Sequence, residues 1–240
     1  MIKTVELSKV YKKQVALDSV SIDIKKSTVT AIVGPNGSGK TTLLKSILGL
    51  VIPNDGTVYF DGITIKNNTE YRKRIGYLPQ NHGFPPNLMV KESIRLLKDL
   101  RSDVQDYDLE LYTKFGLEEH QNKQIKQLSG GTLQKLSAAI AFMFRPELLI
   151  LDEPTSSLDP VASGILKEKI RSAHNSGTTV ILTSHIMPEV DELAEQVIFL
   201  LEGTVKYSGS VENLKIINDT PDLERAVAKI MTREFVPCTT

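Results

Sequence analysis

Five consecutive apolar or β-branched residues, Val29-Thr30-Ala31-Ile32-Val33, run straight into Gly34-Pro35-Asn36-Gly37-Ser38-Gly39-Lys40-Thr41-Thr42. Beyond them Leu43, Leu44, Ile47 and Leu48 recur at helical spacing until Pro53 and Gly56 end the run. A short strand that is apolar on both faces belongs inside a sheet covered from both sides, and strand, loop and helix in that order open a parallel α/β unit. Glycine lets a backbone approach a ligand closely. Successive N–H groups can then converge on an anion, and the next helix turns its positive end to the same point. The segment therefore predicts a phosphate cradle in which Lys40 reaches the β- and γ-phosphates and the Thr41 hydroxyl takes one place around Mg²⁺. A chance glycine-rich turn is the alternative, and the flanking strand and helix weigh against it.

The rest of the chain follows the same logic. Val20, Ile22 and Ile24 alternate with Ser21, Asp23 and Lys25, the period of a half-buried antiparallel strand. Residues 58–60 and 75–78 read as further short strands, after which Pro79-Gln80 begins a Pro- and Asn-rich connection through Pro85 and Pro86. From Lys91 to about Arg145 the pattern is helical, with Ile94, Leu97, Leu100, Leu109, Tyr112 and Phe115 as the candidate inward face, which predicts an inserted helical subdomain. Apolar strands at 148–151, 179–182 and 197–201 then alternate with helices near 162–174 and 188–194, as in βαβ units on a parallel sheet. Beyond about Val211 this rhythm stops. Leu223, Val227, Ile230 and Met231 predict one amphipathic helix in a C-terminal extension.

Two acids close the strand at 148–151. Asp152 is delivered to the sheet edge, where it can hold Mg²⁺, and Glu153 can face an attacking water as its base. Paired acids after a strand can also merely start a surface loop. His185, after the strand at 179–183, can hydrogen-bond a γ-phosphate and keep water and base in register. A lone histidine at a strand end is more often an ordinary structural residue.

Composition sets limits. The 240 residues can hold one large domain with a smaller lobe, and 29 basic residues against 29 acidic ones leave no net field to gather polyanions, so nucleic acid is not an expected partner. The single cysteine, Cys238, excludes an intramolecular disulfide and fits a reducing compartment. The first residues carry no apolar export segment, and no window approaches the roughly 18–20 apolar residues that span a bilayer. The expectation is a cytoplasmic protein.

One later segment joins these pieces. Leu128-Ser129-Gly130-Gly131-Thr132 lies one helix-length ahead of Asp152-Glu153, and Pro154-Thr155-Ser156-Ser157-Leu158-Asp159 and His185 follow. With the phosphate loop, this order resembles the ATP-binding subunits of ABC transporters. The resemblance implies an α/β P-loop NTPase core of ABC type with an antiparallel β lobe and a helical subdomain at about 81–145, together spanning 1–213, and a C-terminal extension at 214–240. It implies ATP and Mg²⁺ as cofactors, and a head-to-tail homodimer in which Ser129, Gly130 and Gly131 serve the ATP of the other copy while Asp159 crosses the interface. Under the same resemblance Tyr11 stacks on adenine, where its alternative is packing a hairpin. Gln80 touches Mg²⁺ or the water and reports to a transmembrane permease, where its alternative is a plain turn residue. The chain would sit peripherally on the inner face of the cell membrane. Thr132 departs from the family's usual Gln, at a position flanking the donors.

Within the family, residues 128–135, 160–167, 182–187 and 223–226 resemble the NosF type, ATPases that serve maturation of the copper enzyme nitrous oxide reductase. Copper itself is not expected here: beside one cysteine, His82, His120, His174 and His185 show no ligand-like pairing. An ATPase for a drug, peptide or ion exporter is the alternative. A DNA-organising ATPase would need coiled-coil heptads, and a translation-associated one a second ATPase domain in tandem; the pattern offers neither.

Overall fold

The computed structural model describes residues 1–232. In chain order its elements are β1 (Ile2–Tyr11), β2 (Gln14–Ile24), β3 (Val29–Val33), α1 (Lys40–Ile47), β4 (Asp55–Phe60), β5 (Ile63–Thr64), β6 (Ile75–Leu78), α2 (Val90–Leu100), α3 (Glu110–Lys114), α4 (Gly130–Met143), β7 (Leu148–Asp152), α5 (Pro160–Asn175), β8 (Thr179–Thr183), α6 (Met187–Leu193), β9 (Gln196–Leu201), β10 (Thr204–Ser210), α7 (Val211–Ile217) and α8 (Leu223–Met231). Two compact units arise: Met1–Arg72 with the chain from Thr179 onward, and Lys73–Thr178.

In the first unit β2, β1, β4 and β5 form an antiparallel sheet. The alternation read at Val20, Ile22 and Ile24 holds: those three are buried while Ser21 and Asp23 are exposed. The strand is irregular at Ser19, whose φ is 51°. There the buried Thr4 hydroxyl donates to Val20 O at 2.8 Å and accepts the Ile22 N–H at 3.1 Å, satisfying backbone groups beside the break.

The second sheet of this unit centres on β3, buried at all five positions and parallel to both β8 and β9. The rhythm of the sequence predicts only parallel neighbours here, yet β10 returns antiparallel to β9. The cause is the two-residue Glu202-Gly203 turn. Both residues are left-handed, at φ 49° and 76°, and such a turn matches the twist of a hairpin.

The C-terminal chain is more helical than its periodicity announces. α8 covers the predicted segment with Leu223, Val227 and Ile230 buried, and Asp222 caps it by accepting the Glu224 and Arg225 N–H groups at 2.8 and 3.2 Å. Ahead of it α7 starts directly from β10, capped by Ser210, and α8 packs on α6 and α7. Cys238 lies outside the described residues.

In the second unit β6 and β7 pair in parallel, and α4 packs on β6. Gly76 makes that approach possible, because a Cβ there would run into the Ala141 carbonyl. The helices between the strands occur as expected, but the inward face of α2 differs from the one read off the apolar stripe. Val90 and Ser93 are its buried residues, Ile94 and Leu97 are half-buried, and Leu100 is 69% exposed. The helix is held at its first turn, where the Val90 and Lys91 N–H groups donate to Lys123 O and Gln121 O; periodicity identifies a stripe but not which part of it is covered. In α3, likewise, Leu111 is buried while Leu109 is exposed. From α5 comes Lys169, only 9% exposed, with Nζ 2.6 Å from both Asp108 Oδ2 and Glu110 Oε2.

Candidate functional site

The loop after β3 is held in place by its own backbone. The Ser38 N–H donates to Pro35 O at 3.2 Å, and Ser38 O accepts the Gly203 N–H at 3.1 Å, which ties the loop to the β9–β10 turn. Gly34 is obligatory: a Cβ there would collide with Leu200 O and stand 2.7 Å from Ser38 Oγ. Gly39, at φ 104°, is the N-cap of α1, and no side chain caps that helix, so its leading N–H groups face the loop. Lys40 Nζ folds back over the loop, donating to Gly34 O at 2.7 Å and Pro35 O at 3.1 Å.

Ser38 is 2% exposed and its Oγ has no hydrogen-bond partner. A buried hydroxyl without a partner costs about 1–3 kcal/mol. A buried hydroxyl, an uncapped helix start and a lysine ammonium on one short loop are the donor set a phosphate needs, so the residues fit the group the sequence predicts. Thr41 and Thr42 are half-buried in the first turn of α1. Gly34→Ala is expected to destabilise the protein by at least about 1–3 kcal/mol, through left-handed strain and displacement of β9, and a denaturant titration measures it.

Neighbouring parallel strands bring a second feature to this edge. β3 and β8 pair in register, Ile32 opposite Thr183, so Gly34 and the segment Ser184-His185 leave from the same end. His185 is exposed there, and the Ser184 hydroxyl accepts the Ile186 N–H at 3.0 Å. Tyr11 ends β1 with an exposed ring, 5.2 Å from Lys9 Nζ.

The second unit repeats the arrangement. Leu78 lies opposite Leu151, so Pro79-Gln80 and Asp152-Glu153 emerge from the same edge of β6 and β7, the end at which open α/β sheets bind ligands. Asp152 is 2% exposed. Burial, with the Asp152 charge adding to it, pushes the Tyr77 phenol up to about 12. Glu153 is left-handed at φ 55°, and Gln80 is exposed.

Ser129 is the N-cap of α4. Its Oγ accepts the Thr132 N–H at 3.2 Å and lies 2.8 Å from Thr132 Oγ1. Thr132, where the sequence departs from the family's usual Gln, thus bonds directly to Ser129. Gly131 lies against the 155–158 turn, a Cβ being 2.9 Å from Ser157 O, whereas Gly130 has open space. Asp159 caps α5, accepting the Ala162 N–H at 2.8 Å, and also takes Lys135 Nζ at 2.9 Å. The Ala162 N–H first, and then Lys135, hold its carboxyl below the usual range.

The sequence reading gave no site role to several residues beside these. Gln134 is buried in α4 and donates to the carbonyls of Glu153 and Pro154; Lys135 pairs with Asp159; His82 Nδ1 is 2.7 Å from Ser137 Oγ. The available signal was a glutamine at a position that the apolar pattern of α4 turns inward. No group of three or more His, Cys, Asp or Glu that could hold a metal ion occurs among the described residues, and no helix there is long and apolar enough to cross a membrane.

Comparison with known proteins agrees with this geometry. The family model described as "ABC transporter" matches residues 17–156. The lantibiotic transport ATP-binding protein SrtF of Streptococcus pyogenes is 35% identical over 219 residues, covering 90% of this chain and 94% of its own. Among solved structures, an ATP-binding subunit of an ABC transporter superposes with a TM-score of 0.89 at 26% identity, over 96% of this chain and 99% of that one. An ATP-binding cassette solved as a dimer in a post-hydrolysis state, with ADP and Pi, gives 0.79 at 28% identity over 88% and 98%. A family model that spans more than half of the sequence, and a relative alike over nine-tenths of it, show that this chain belongs to the ABC transporter family, as one of its ATP-binding, ATP-hydrolysing subunits.

Proposed function

We propose that two copies of this chain bind ATP with Mg²⁺ in a head-to-tail dimer and hydrolyse it to drive a separate transmembrane permease. The observation that carries this is the loop 34–42, with its buried Ser38 hydroxyl, its lysine ammonium and its uncapped helix start. Lys40 and the loop N–H groups take the phosphates, and Tyr11 stacks on the base. Thr41, Asp152 and Gln80 would hold Mg²⁺, which when bound supplies charge neutralisation at the phosphate oxygens. Glu153 accepts the proton of the attacking water, His185 keeps that water in line, and Ser129, Gly130 and Gly131 donate to the ATP of the other copy, with Asp159 at the seam. The dimeric state of the related cassette supports this pairing.

ATP then closes the dimer and hydrolysis reopens it, and the motion reaches the permease through the segment near 80–88. Switching from mostly open to mostly closed requires nucleotide to prefer the closed form by about 10⁴, or roughly 5.5 kcal/mol. The chain itself is peripheral on the cytoplasmic side.

For the cargo, the likeness to a lantibiotic transport protein favours a peptide or related exporter. The NosF type is the second reading and rests on residues 128–135, 160–167, 182–187 and 223–226 alone. Affinity purification from membranes should recover a multispan membrane protein; recovery of ribosomes or DNA instead would sink the transport reading.

Lys40→Ala tests the cradle. It removes a charged donor to phosphate, worth about 1.5–3 kcal/mol, so nucleotide affinity should fall roughly 10- to 150-fold. Titration with a fluorescent ATP analogue measures it, and an unchanged affinity would refute the assignment.

A further inference from the structure

We infer that Gln134 and His82 form a positioning network for Glu153, one that couples the carboxylate meant to activate water to the segment that follows Gln80. The inference rests on the reading of Glu153 as the base. Glu153 is a non-glycine residue at φ 55°, a conformation that costs about 1–2 kcal/mol and persists only where the surroundings impose it. What imposes it is visible. The Gln134 amide, 2% exposed in α4, donates to Glu153 O at 3.2 Å and to Pro154 O at 2.7 Å, holding two successive carbonyls on one side chain. The Ser156 N–H closes the turn on Glu153 O at 3.2 Å. With Asp152 fixed in β7 on one side and two carbonyls clamped on the other, the Glu153 backbone has little freedom left, and its side-chain direction follows.

The amide nitrogen is thereby committed and the Gln134 oxygen remains as an acceptor. The same helix also receives half-buried His82. Its Nδ1 lies 2.7 Å from Ser137 Oγ. Gln134 and Ser137 are three residues apart on α4 and so share one face, with His82 held at Ser137. His82 comes two residues after Gln80, in a stretch without helix or strand. A displacement of that stretch pulls on His82, then on Ser137 and α4, and, through Gln134 on that helix, on the Glu153 carbonyl. The same helix begins at Ser129, so Ser129 and the Glu153 backbone are tied to one helix.

Near-attack geometry is unforgiving, so loosening Glu153 should affect the chemical step and not the binding of ATP. The test is steady-state ATP hydrolysis by the full chain, with nucleotide affinity and melting temperature recorded for each variant. Gln134→Met keeps size and burial but removes both donors; kcat should fall roughly 10- to 100-fold while ATP affinity stays within about two-fold. His82→Ala should lower kcat in the same direction, His82→Asn should restore most of it by replacing the polar contact, and adding His82→Ala to Gln134→Met should cost nothing further, as expected of one connected unit. His82→Ala leaves the buried amide in place, so it still reads the network if Gln134→Met does not fold. A kcat within about two-fold of the parent in both single variants, or kcat and affinity falling together, overturns the inference. Glu153→Gln is measured alongside: normal turnover in that variant would remove Glu153 as base and the network's purpose with it, whereas impaired turnover there beside normal Gln134→Met and His82→Ala would refute the network alone.

Discussion

Replacing Glu153 by glutamine is expected to lower ATP turnover by roughly 10²–10⁴-fold while ATP still binds, the usual worth of a positioned base. Glutamine matches glutamate in size and preserves the backbone contacts that hold the left-handed turn at 153, so the fold is undisturbed. What it loses is the capacity to accept a proton. Binding persists because the phosphate-holding groups proposed here, the loop N–H groups, Ser38 and Lys40, belong to the other compact unit and are untouched. The variant should therefore accumulate with ATP unhydrolysed. Single-turnover hydrolysis beside equilibrium nucleotide binding separates the two effects; a turnover equal to the parent's would exclude Glu153 from the role, and a joint loss of binding and turnover would point to misfolding instead.

The second large effect concerns stability. Lys169→Met should destabilise the unit Lys73–Thr178 by up to about 3–5 kcal/mol, the upper value being the cost of leaving a fully buried carboxylate without its cation. Lys169 is almost completely buried, and Asp108, its partner at 2.6 Å, is partly buried, with 15% of its side chain exposed. The methionine fills the space of the aliphatic stem but offers Asp108 no charge. Glu110, more exposed, loses less, because solvent screens it and Lys114 remains 2.8 Å away.

Acid should shrink this difference. Lys114 first and Lys169 second hold the Glu110 carboxyl down to about 2, below its usual range. A carboxylate whose folded pKa is depressed contributes stability above its unfolded pKa and loses it as pH falls through the folded value. The Glu110 share of the gap between parent and variant therefore closes from about pH 4 towards pH 2. Denaturant midpoints at neutral pH and near pH 3 measure both claims, and a gap that widens in acid would contradict the charge pairing.

Much of the fold was legible in the sequence because it depends on near neighbours. A five-residue strand apolar on both faces, a loop needing glycine at Gly34 and Gly39, and a helix with apolar residues at regular spacing are each set within about ten residues, and the α/β core of ABC type follows from their repetition. The placement of Asp152 at a strand end was legible for the same reason. Other features were not. The apolar stripe of α2 does not say that only its first turn is covered, and the strand β10 depended on an unremarkable Glu-Gly pair adopting two left-handed conformations. The bonds from His82 to Ser137 and from Gln134 to Glu153 join residues 55 and 19 positions apart, and no local pattern records such distances.

Amino-acid order alone thus determined most of the strands and helices of the core and a glycine loop suited to an anion, since backbone sterics and hydrophobic period act over a few residues. Only the tertiary structure decided which buried polar side chain meets which distant carbonyl, because a hydrogen bond inside the protein is specified by the packing of the elements that carry its two ends.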